Sequence, residues 1–376
     1  MGQRILETVG QYDVLDSWFA KNHVSCAMLV CGESITRQKI NNYLKEVPSR
    51  LGIKIVRFMD FQSNPLYENV QDGVQLFRSS ACDAVIAVGG GSAMDTAKCI
   101  KLYSNLSDNG ENGTWLKANT VPNNIPFLAI PTTSGTGSEA THFAVIYYNG
   151  TKQSISDYSC IPETILMDHS MLKTLPEYQK KATMMDALCH AIESFWSINS
   201  TNESKKYSIV AIQAVMKQMK SYLANTDNGN AGMLQAAYKA GQAINITQTT
   251  AGHAMCYKIT SLFRLAHGHA AILCDRVLFP WMIENTDQCT DPRGKDYLRQ
   301  TLDEIGIAMG CSNAREGAEK LKNIFDGLLL EVPIATAEQF EILKNSINPD
   351  RLKNHPISLD VDTIDTLYHN ILNGEA

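Results

Sequence analysis

The sequence has no apolar run long enough to span a bilayer. Its densest apolar patches, at 26–31 and 127–131, fall far short of the roughly 18 residues a transmembrane helix needs, so no membrane partner is expected. It has no long Lys/Arg run either. Its 33 Lys+Arg against 39 Asp+Glu give a net charge of −6, which disfavours a nucleic-acid partner. The opening residues, Met1 to Glu7, contain no signal-peptide apolar region, so a cytoplasmic location is expected. No Cys-x-x-Cys occurs among the ten cysteines, at 26, 31, 82, 99, 160, 189, 256, 274, 289 and 311. Their irregular spacing in a long chain speaks against a disulfide framework and for reduced, mostly buried thiols. Internal repeats and low-complexity tracts are absent, and no Gly-x-Gly-x-x-Gly follows the first strand pattern, which weakens an ordinary Rossmann assignment.

What remains is ample material for a core: 44% of the 376 residues are hydrophobic and only 19% charged. That length suggests two domains. The first half alternates strand patterns at 24–30, 54–58, 84–88 and 127–130 with helical ones, the signature of a parallel sheet covered by helices on both faces. Between 143 and 156 two short runs flank Asn149-Gly150, a strong hairpin signal that predicts a protruding β-hairpin beside the sheet. From 177 onward the periodicity is helical, at 177–196, 203–223, 233–247, 249–263, 269–284, 296–309, 314–330 and 336–345. The expected architecture is an α/β N-terminal domain with a parallel Rossmann-like sheet over 1–178, and an all-α C-terminal domain over 179–376.

Two loops carry phosphate-binding chemistry. The strand pattern 84–88 runs into Gly89-Gly90-Gly91-Ser92 and then directly into a helix with Asp95 in its first turn. Backbone N–H groups at such a helix start can approach phosphate oxygens where no β-carbon intervenes. A tight turn requiring positive φ is the plain alternative. After the strand at 127–130, Thr132, Thr133, Thr136 and Ser138 interleave with Gly135 and Gly137, supplying hydroxyls suited to a diphosphate and ribose. An ordinary Ser/Thr/Gly loop is the competing account.

Metal chemistry is expected in the second half. Asp186 and His190, four residues apart on a predicted helix, share one face and can reach one ion. His253 and either His267 or His269 would complete an Asp/His/His/His set, a donor combination suited to Fe2+ or Zn2+; spacing alone leaves the last choice open.

With these residues in place, the chain resembles the iron-containing (group III) alcohol dehydrogenases over nearly its whole length. Gly89-Gly90-Gly91-Ser92-x-x-Asp95-x-x-Lys98 is similar to that family's cofactor-phosphate loop, Pro131-Thr132-Thr133-x-Gly135-Thr136-x-x-Glu139 to its second cofactor loop, and Asp186-Ala187-Leu188-x-His190 to the segment giving two metal ligands. The family's other two ligands are histidines fourteen apart, the second in a His-Gly pair, which selects His253 and His267. The resemblance implies the dehydroquinate synthase-like, iron-dependent alcohol dehydrogenase architecture, with a cleft between the domains. It also implies a divalent metal and hydride transfer between nicotinamide and a small aldehyde or primary alcohol. Expected cofactor residues are Gly32, Gly89, Gly90, Gly91, Ser92, Asp95, Thr132, Thr133, Thr136, Ser138 and Lys152.

The chain departs from the family pattern in two places. Members favouring NADH often carry an acidic residue just after the first strand; Gly32 occupies that place here, followed by Glu33, and tilts the expectation from NADH to NADPH. Four and five residues after His253, well-known members have a second histidine and a proline; Tyr257 and Lys258 stand here instead. Tyr257 is expected as proton relay or pocket wall. Lys258, with Arg264 nearby, is expected to favour a substrate with an anionic tail. Together these features resemble the branch that reduces phosphonoacetaldehyde to 2-hydroxyethylphosphonate. The competing classes are a metal- and NAD-dependent carbocycle-forming lyase of the same superfamily and a non-catalytic metal- or nucleotide-binding protein. The hairpin suggests a sheet shared across a homodimer.

Overall fold

The computed structural model describes residues 2–374. They divide into two compact units, one of residues 2–133 and 137–175, the other of 134–136 and 176–374.

The first unit is built on β1 (Arg4–Glu7), β2 (Cys26–Cys31), β3 (Lys54–Phe58), β4 (Ala84–Gly89), β5 (Phe127–Pro131) and, later in the chain, a sixth sheet strand, Thr164–Met167. Every neighbouring pair is parallel, in the order β1, Thr164–Met167, β5, β4, β2, β3. Helices α1 (Val14–Lys21), α2 (Ile40–Leu51), α3 (Tyr67–Ser79) and α4 (Gly91–Tyr103) make the crossovers. β2, β4 and β5 are buried at every residue, which is why they read as short apolar runs rather than alternating ones. From β2 the chain moves outward to β3, then returns to the other side of β2 as β4. The reversal of strand order therefore lies between β2 and β4, and the C-terminal ends of these strands carry Gly32 and the triple glycine. In open parallel sheets ligands bind at that reversal.

The predicted hairpin is present. β6 (Phe143–Tyr148) and β7 (Thr151–Ser156) pair antiparallel as a separate two-stranded sheet, turning through Asn149 at φ 49° and Gly150 at φ 71°, the doubly left-handed turn that Asn-Gly favours. The strand Thr164–Met167 is β8 in chain order.

The second unit is helical: α5 (Glu177–Trp196), α6 (Asn202–Leu223), α7 (Asp227–Thr247), α8 (Ala251–Phe263), α9 (His267–Glu284), α10 (Lys295–Ala308), α11 (Ala314–Leu328), α12 (Ala337–Lys344) and α13 (Val361–Ile371). One departure from an all-α domain is a two-residue parallel pairing of Ile334–Ala335 with Asn373–Gly374. Helix α5 is the axis of this unit, with an unbroken buried run from Met184 to Trp196, and α6, α7 and α9 pack on it. A helix buried all round must satisfy its polar groups internally, and α5 carries Asp186, His190 and Glu193 inward.

Candidate metal centre and cofactor loops

In the first unit the triple glycine adopts no left-handed conformation: Gly89, Gly90 and Gly91 are absent from the positive-φ residues, and Gly90 has φ −90°. The turn reading is thereby corrected. Gly89 and Gly90 are required by close approach instead. A β-carbon on Gly89 would lie 2.5 Å from Ala93 Cβ, and one on Gly90 would lie 3.0 Å from Thr133 Oγ1. The Thr132 amide donates to the Gly89 carbonyl at 3.0 Å. Gly89 to Ser92 and Thr132-Thr133 thus form one surface at the start of α4, where first-turn N–H groups lack helical partners. Gly32 caps the adjacent strand, and nothing stands within 4 Å of where its β-carbon would be.

Asp95, Ser138 and Lys152 lie close together. Asp95 accepts the Ser138 hydroxyl at 2.8 Å and the Val145 amide at 3.1 Å, and the charge of Lys152 lies close to it. Lys98, fully buried, donates to the Ser138, Thr141 and Phe143 carbonyls at 2.6–2.8 Å and to the Ser138 and Thr141 hydroxyls at 3.0 Å. Asp95 and Ser138 are therefore braces that shape the loop, and Lys98 is the centre of that bracing. Thr136 falls among the three residues that group with the second unit.

Glu139 is buried in the same loop, at 3% exposure, and its Oε1 has no hydrogen-bond partner. Burial pushes its pKa up from 4.5 to about 7. The folded chain thus keeps a proton that the unfolded chain releases, and the stability this proton contributes is lost as pH rises from about 4.5 through 7. Glu139→Gln is expected to gain about 3 kcal/mol relative to the native chain at pH 8 and close to none at pH 4.5. Urea denaturation at the two pH values measures this, and equal shifts at both would contradict it.

In the second unit, donor atoms of Asp186, His253 and His267 all lie within 4.8 Å of one another. His253 Nε2 is 3.6 Å and His267 Nε2 4.0 Å from Asp186 Oδ1. Asp186 and His253 are buried, whereas the His267 side chain is 34% exposed and forms the open side. Asp186 Oδ1, His253 Nε2 and His190 Nδ1 are buried without hydrogen-bond partners. Buried polar atoms without partners are costly; those of Asp186 and His253, facing each other within the same donor group, suit a divalent cation. His190 stands outside the 4.8 Å group. Its ring stacks on His253 with centroids 4.4 Å apart, and it also bonds to the Gly135 backbone. Burial lowers the His190 pKa to about 4, so the ring is neutral, as a ligand must be. Burial alone would raise Asp186, but the three neighbouring imidazoles hold its carboxyl well below its usual value.

His267 and His269 differ in what each ring touches. His269 Nδ1 meets the Tyr178 hydroxyl at 3.0 Å and its Nε2 meets the Glu331 carbonyl at 2.9 Å, so both nitrogens are taken. His267 Nδ1 meets Cys256 Sγ at 3.7 Å, which turns Nε2 toward Asp186.

Glu193 lies buried on the same helix, three residues beyond His190. It accepts the Thr250 hydroxyl at 2.7 Å, the Thr250 and His253 amides, and His253 Nδ1. It thereby fixes the His253 ring with Nε2 facing Asp186. Burial would lower the His253 pKa, but Glu193 and Asp186 raise it to about 10. Asp275 lies buried behind Glu193 and Cys189, and burial together with the Glu193 charge pushes its carboxyl far upward. Nothing in sequence periodicity marks either acid, because both act through helix packing.

Tyr257 reaches the site: its ring stacks on His267 with centroids 5.5 Å apart and planes 10° apart. Burial raises its phenol well above the ordinary value, so it stays protonated at neutral pH. Lys258 does not share this face. Five helical steps from His253 displace it by about 140° around α8, against about 40° for Tyr257, and the cation beside Tyr257 is Arg351 instead. Arg264 ends α8 in a left-handed conformation and is exposed.

Among the described residues, no helix is long and apolar enough to cross a membrane, and none of the ten cysteines is disulfide-bonded.

Comparison with known proteins gives the family and the fold. Residues 2–169 match the model of iron-containing alcohol dehydrogenase, and residues 180–372 match that of the Fe-containing alcohol dehydrogenase family C-terminal region. Phosphonoacetaldehyde reductase of Streptomyces viridochromogenes is 27% identical, over 77% of this chain and 76% of its own length. Sulfoacetaldehyde reductase of Bilophila wadsworthia is 28% identical, over 83% and 80%. The fold is that of the crystal structure of sulfoacetaldehyde reductase from Bifidobacterium kashiwanohense in complex with NAD+, with a TM-score of 0.86 at 23% identity over 98% of this chain and 96% of that one. With its C-terminal 193 matched residues alone exceeding half its length, the chain belongs to the iron-containing alcohol dehydrogenase family, whose members are oxidoreductases.

Proposed function

We propose that this protein reduces a small aldehyde with a nicotinamide cofactor, or oxidises the corresponding primary alcohol, using a divalent metal held by Asp186, His190, His253 and His267. The observation that carries the reading is the convergence of unpartnered buried atoms on Asp186 and His253 beside the half-open His267, with the His190 ring stacked on His253. Bound there, Fe2+ or Zn2+ would act as a Lewis acid on the substrate oxygen. The chain's own part is to hold His253 through Glu193, to wall the site with the Tyr257 ring, and to keep a protonated phenol beside it. The test is an aldehyde panel assayed at 340 nm with NADPH and NADH after Fe2+ or Zn2+ reconstitution. Turnover that ignores the added metal would refute the reading.

The cofactor surface comprises Gly89, Gly90, Gly91, Ser92, Thr132 and Thr133, with Gly32 beside the strand reversal. The open space at Gly32 and the lack of a carboxylate at that position favour NADPH over NADH. Native kcat/KM is expected to be higher with NADPH, and Gly32→Asp is expected to reverse the order, with a loss of about tenfold or more for NADPH through like-charge repulsion. A large native preference for NADH would overturn this. The resemblance to phosphonoacetaldehyde and sulfoacetaldehyde reductases in sequence supports a two-carbon aldehyde with an anionic tail, such as phosphonoacetaldehyde. The reduced thiols support a cytoplasmic setting, and a homodimer remains part of the reading.

A further inference from the structure

A short helical turn, Pro349–Leu352, packs against α8 and brings Arg351 onto Tyr257 from a distant part of the sequence. Its guanidinium lies over the Tyr257 ring, 5.0 Å from the centroid, and Nη1 donates toward the Tyr257 hydroxyl at 3.4 Å. Tyr257 in turn stacks on His267. One guanidinium, one phenol and one imidazole therefore form a stack ending at the proposed metal ligands.

The charge on Arg351 is unneutralised. Among the described residues no carboxylate lies within 4.0 Å of it, and the nearest acid in sequence, Asp350, is paired with Lys353 at 2.6 Å. The residue is half-buried, held by a ring face and one long hydrogen bond. That arrangement fixes the guanidinium plane while leaving most of its five N–H donors unspent. A fixed, partly desolvated fork of donors without a counter-ion is suited to a phosphonate, sulfonate or carboxylate, which it can engage through two bonds at once.

We infer that Arg351 anchors the anionic tail of the substrate, so that the enzyme selects short aldehydes carrying a phosphonate or sulfonate group. The inference rests on the aldehyde-reductase reading and assigns its specificity to a residue outside the four metal ligands and both cofactor loops. It also replaces Lys258, on the far side of α8, as the recognising cation. Electroneutrality fits: the acids nearest the metal are engaged with histidines, whereas the guanidinium meets only aromatic carbon and a neutral hydroxyl.

The experiment compares the native protein, Arg351→Ala and Arg351→Lys, all metal-loaded. Kinetics are read with phosphonoacetaldehyde and propionaldehyde, and calorimetry with 2-hydroxyethylphosphonate, which needs no turnover. Arg351→Ala is expected to raise KM for phosphonoacetaldehyde and Kd for 2-hydroxyethylphosphonate by about 10- to 100-fold, with a much smaller change for propionaldehyde. Arg351→Lys should recover part of the loss. Equal losses on both aldehydes, a rise confined to KM for NADPH, a larger effect from Lys258→Ala, or no binding of 2-hydroxyethylphosphonate by the native protein would each overturn the inference. If native protein binds 2-hydroxyethylphosphonate through Arg351 yet reduces neither aldehyde, the anion anchor stands and the aldehyde-reductase reading falls.

Discussion

His267→Ala is expected to abolish bound metal and turnover together while nucleotide binding stays near native. The substitution removes the one member of the 4.8 Å donor group that is open to solvent. Asp186 and His253 keep their places, because Glu193 holds His253 independently of His267. Loss of a direct ligand leaves a site with too few donors to retain a divalent ion, and activity should fall by several orders of magnitude. Metal content by plasma mass spectrometry, turnover at 340 nm and NADPH fluorescence titration read the three quantities separately. His269→Ala is the comparison: with both of its nitrogens bonded to Tyr178 and Glu331, it should keep its metal. If His269→Ala emptied the site while His267→Ala retained full metal content, the ligand assignment would be wrong.

Gly268→Ala should be nearly as damaging, although glycine at this position coordinates nothing. A β-carbon there would lie 2.0 Å from the Ala182 carbonyl, 2.6 Å from Asp186 Cβ and 2.8 Å from the Asp186 amide. These are backbone and α5 atoms, which cannot swing aside. The start of α9 is pressed against α5 at the very residue that meets His267, and one methyl group would force the two helices apart. Overpacking of this kind costs about 1–3 kcal/mol in stability. The displacement of His267 from Asp186 should weaken metal affinity by about 10- to 100-fold or more, as for disturbed supporting shells elsewhere. Competition with a chromophoric chelator measures the affinity, and thermal unfolding the stability. A variant with native metal affinity would show that the helices relax without moving His267. The His-Gly pairing thus has a steric origin: the glycine permits the helix approach that the histidine uses.

Much of this was visible in the sequence where local patterning and tertiary role coincide. Strand β3 and helix α5 begin and end where periodicity places them, and Asn149-Gly150 adopts the turn its residues favour. Where glycine serves packing instead of turning, local reading goes astray. Helix α7 starts at Asp227 and not near 233, because Thr226 caps it through the Gly229 amide and Gly229 lies against the α6 backbone. The strands β1 and β8 and the helices α1 and α13 escaped notice; the strands are only four residues long, too short for a period to show. In the site, the ligands share helical spacing and a motif, whereas Glu193, Asp275 and Arg351 gain their roles from contacts across many residues of chain, such as the 94 separating Arg351 from Tyr257. Lys258 and Tyr257, though adjacent in sequence, leave α8 in directions about 100° apart.

The five contacts made by the buried Lys98 ammonium bear on the energetics of cofactor binding. By gathering Ser138, Thr141 and Phe143 around one charge, the chain spends the conformational entropy of that loop when it folds, before any nucleotide arrives. Preorganisation of this kind moves an ordering cost from the binding equilibrium into the folding equilibrium. A nucleotide held beside this loop would meet a segment whose ordering folding has already completed.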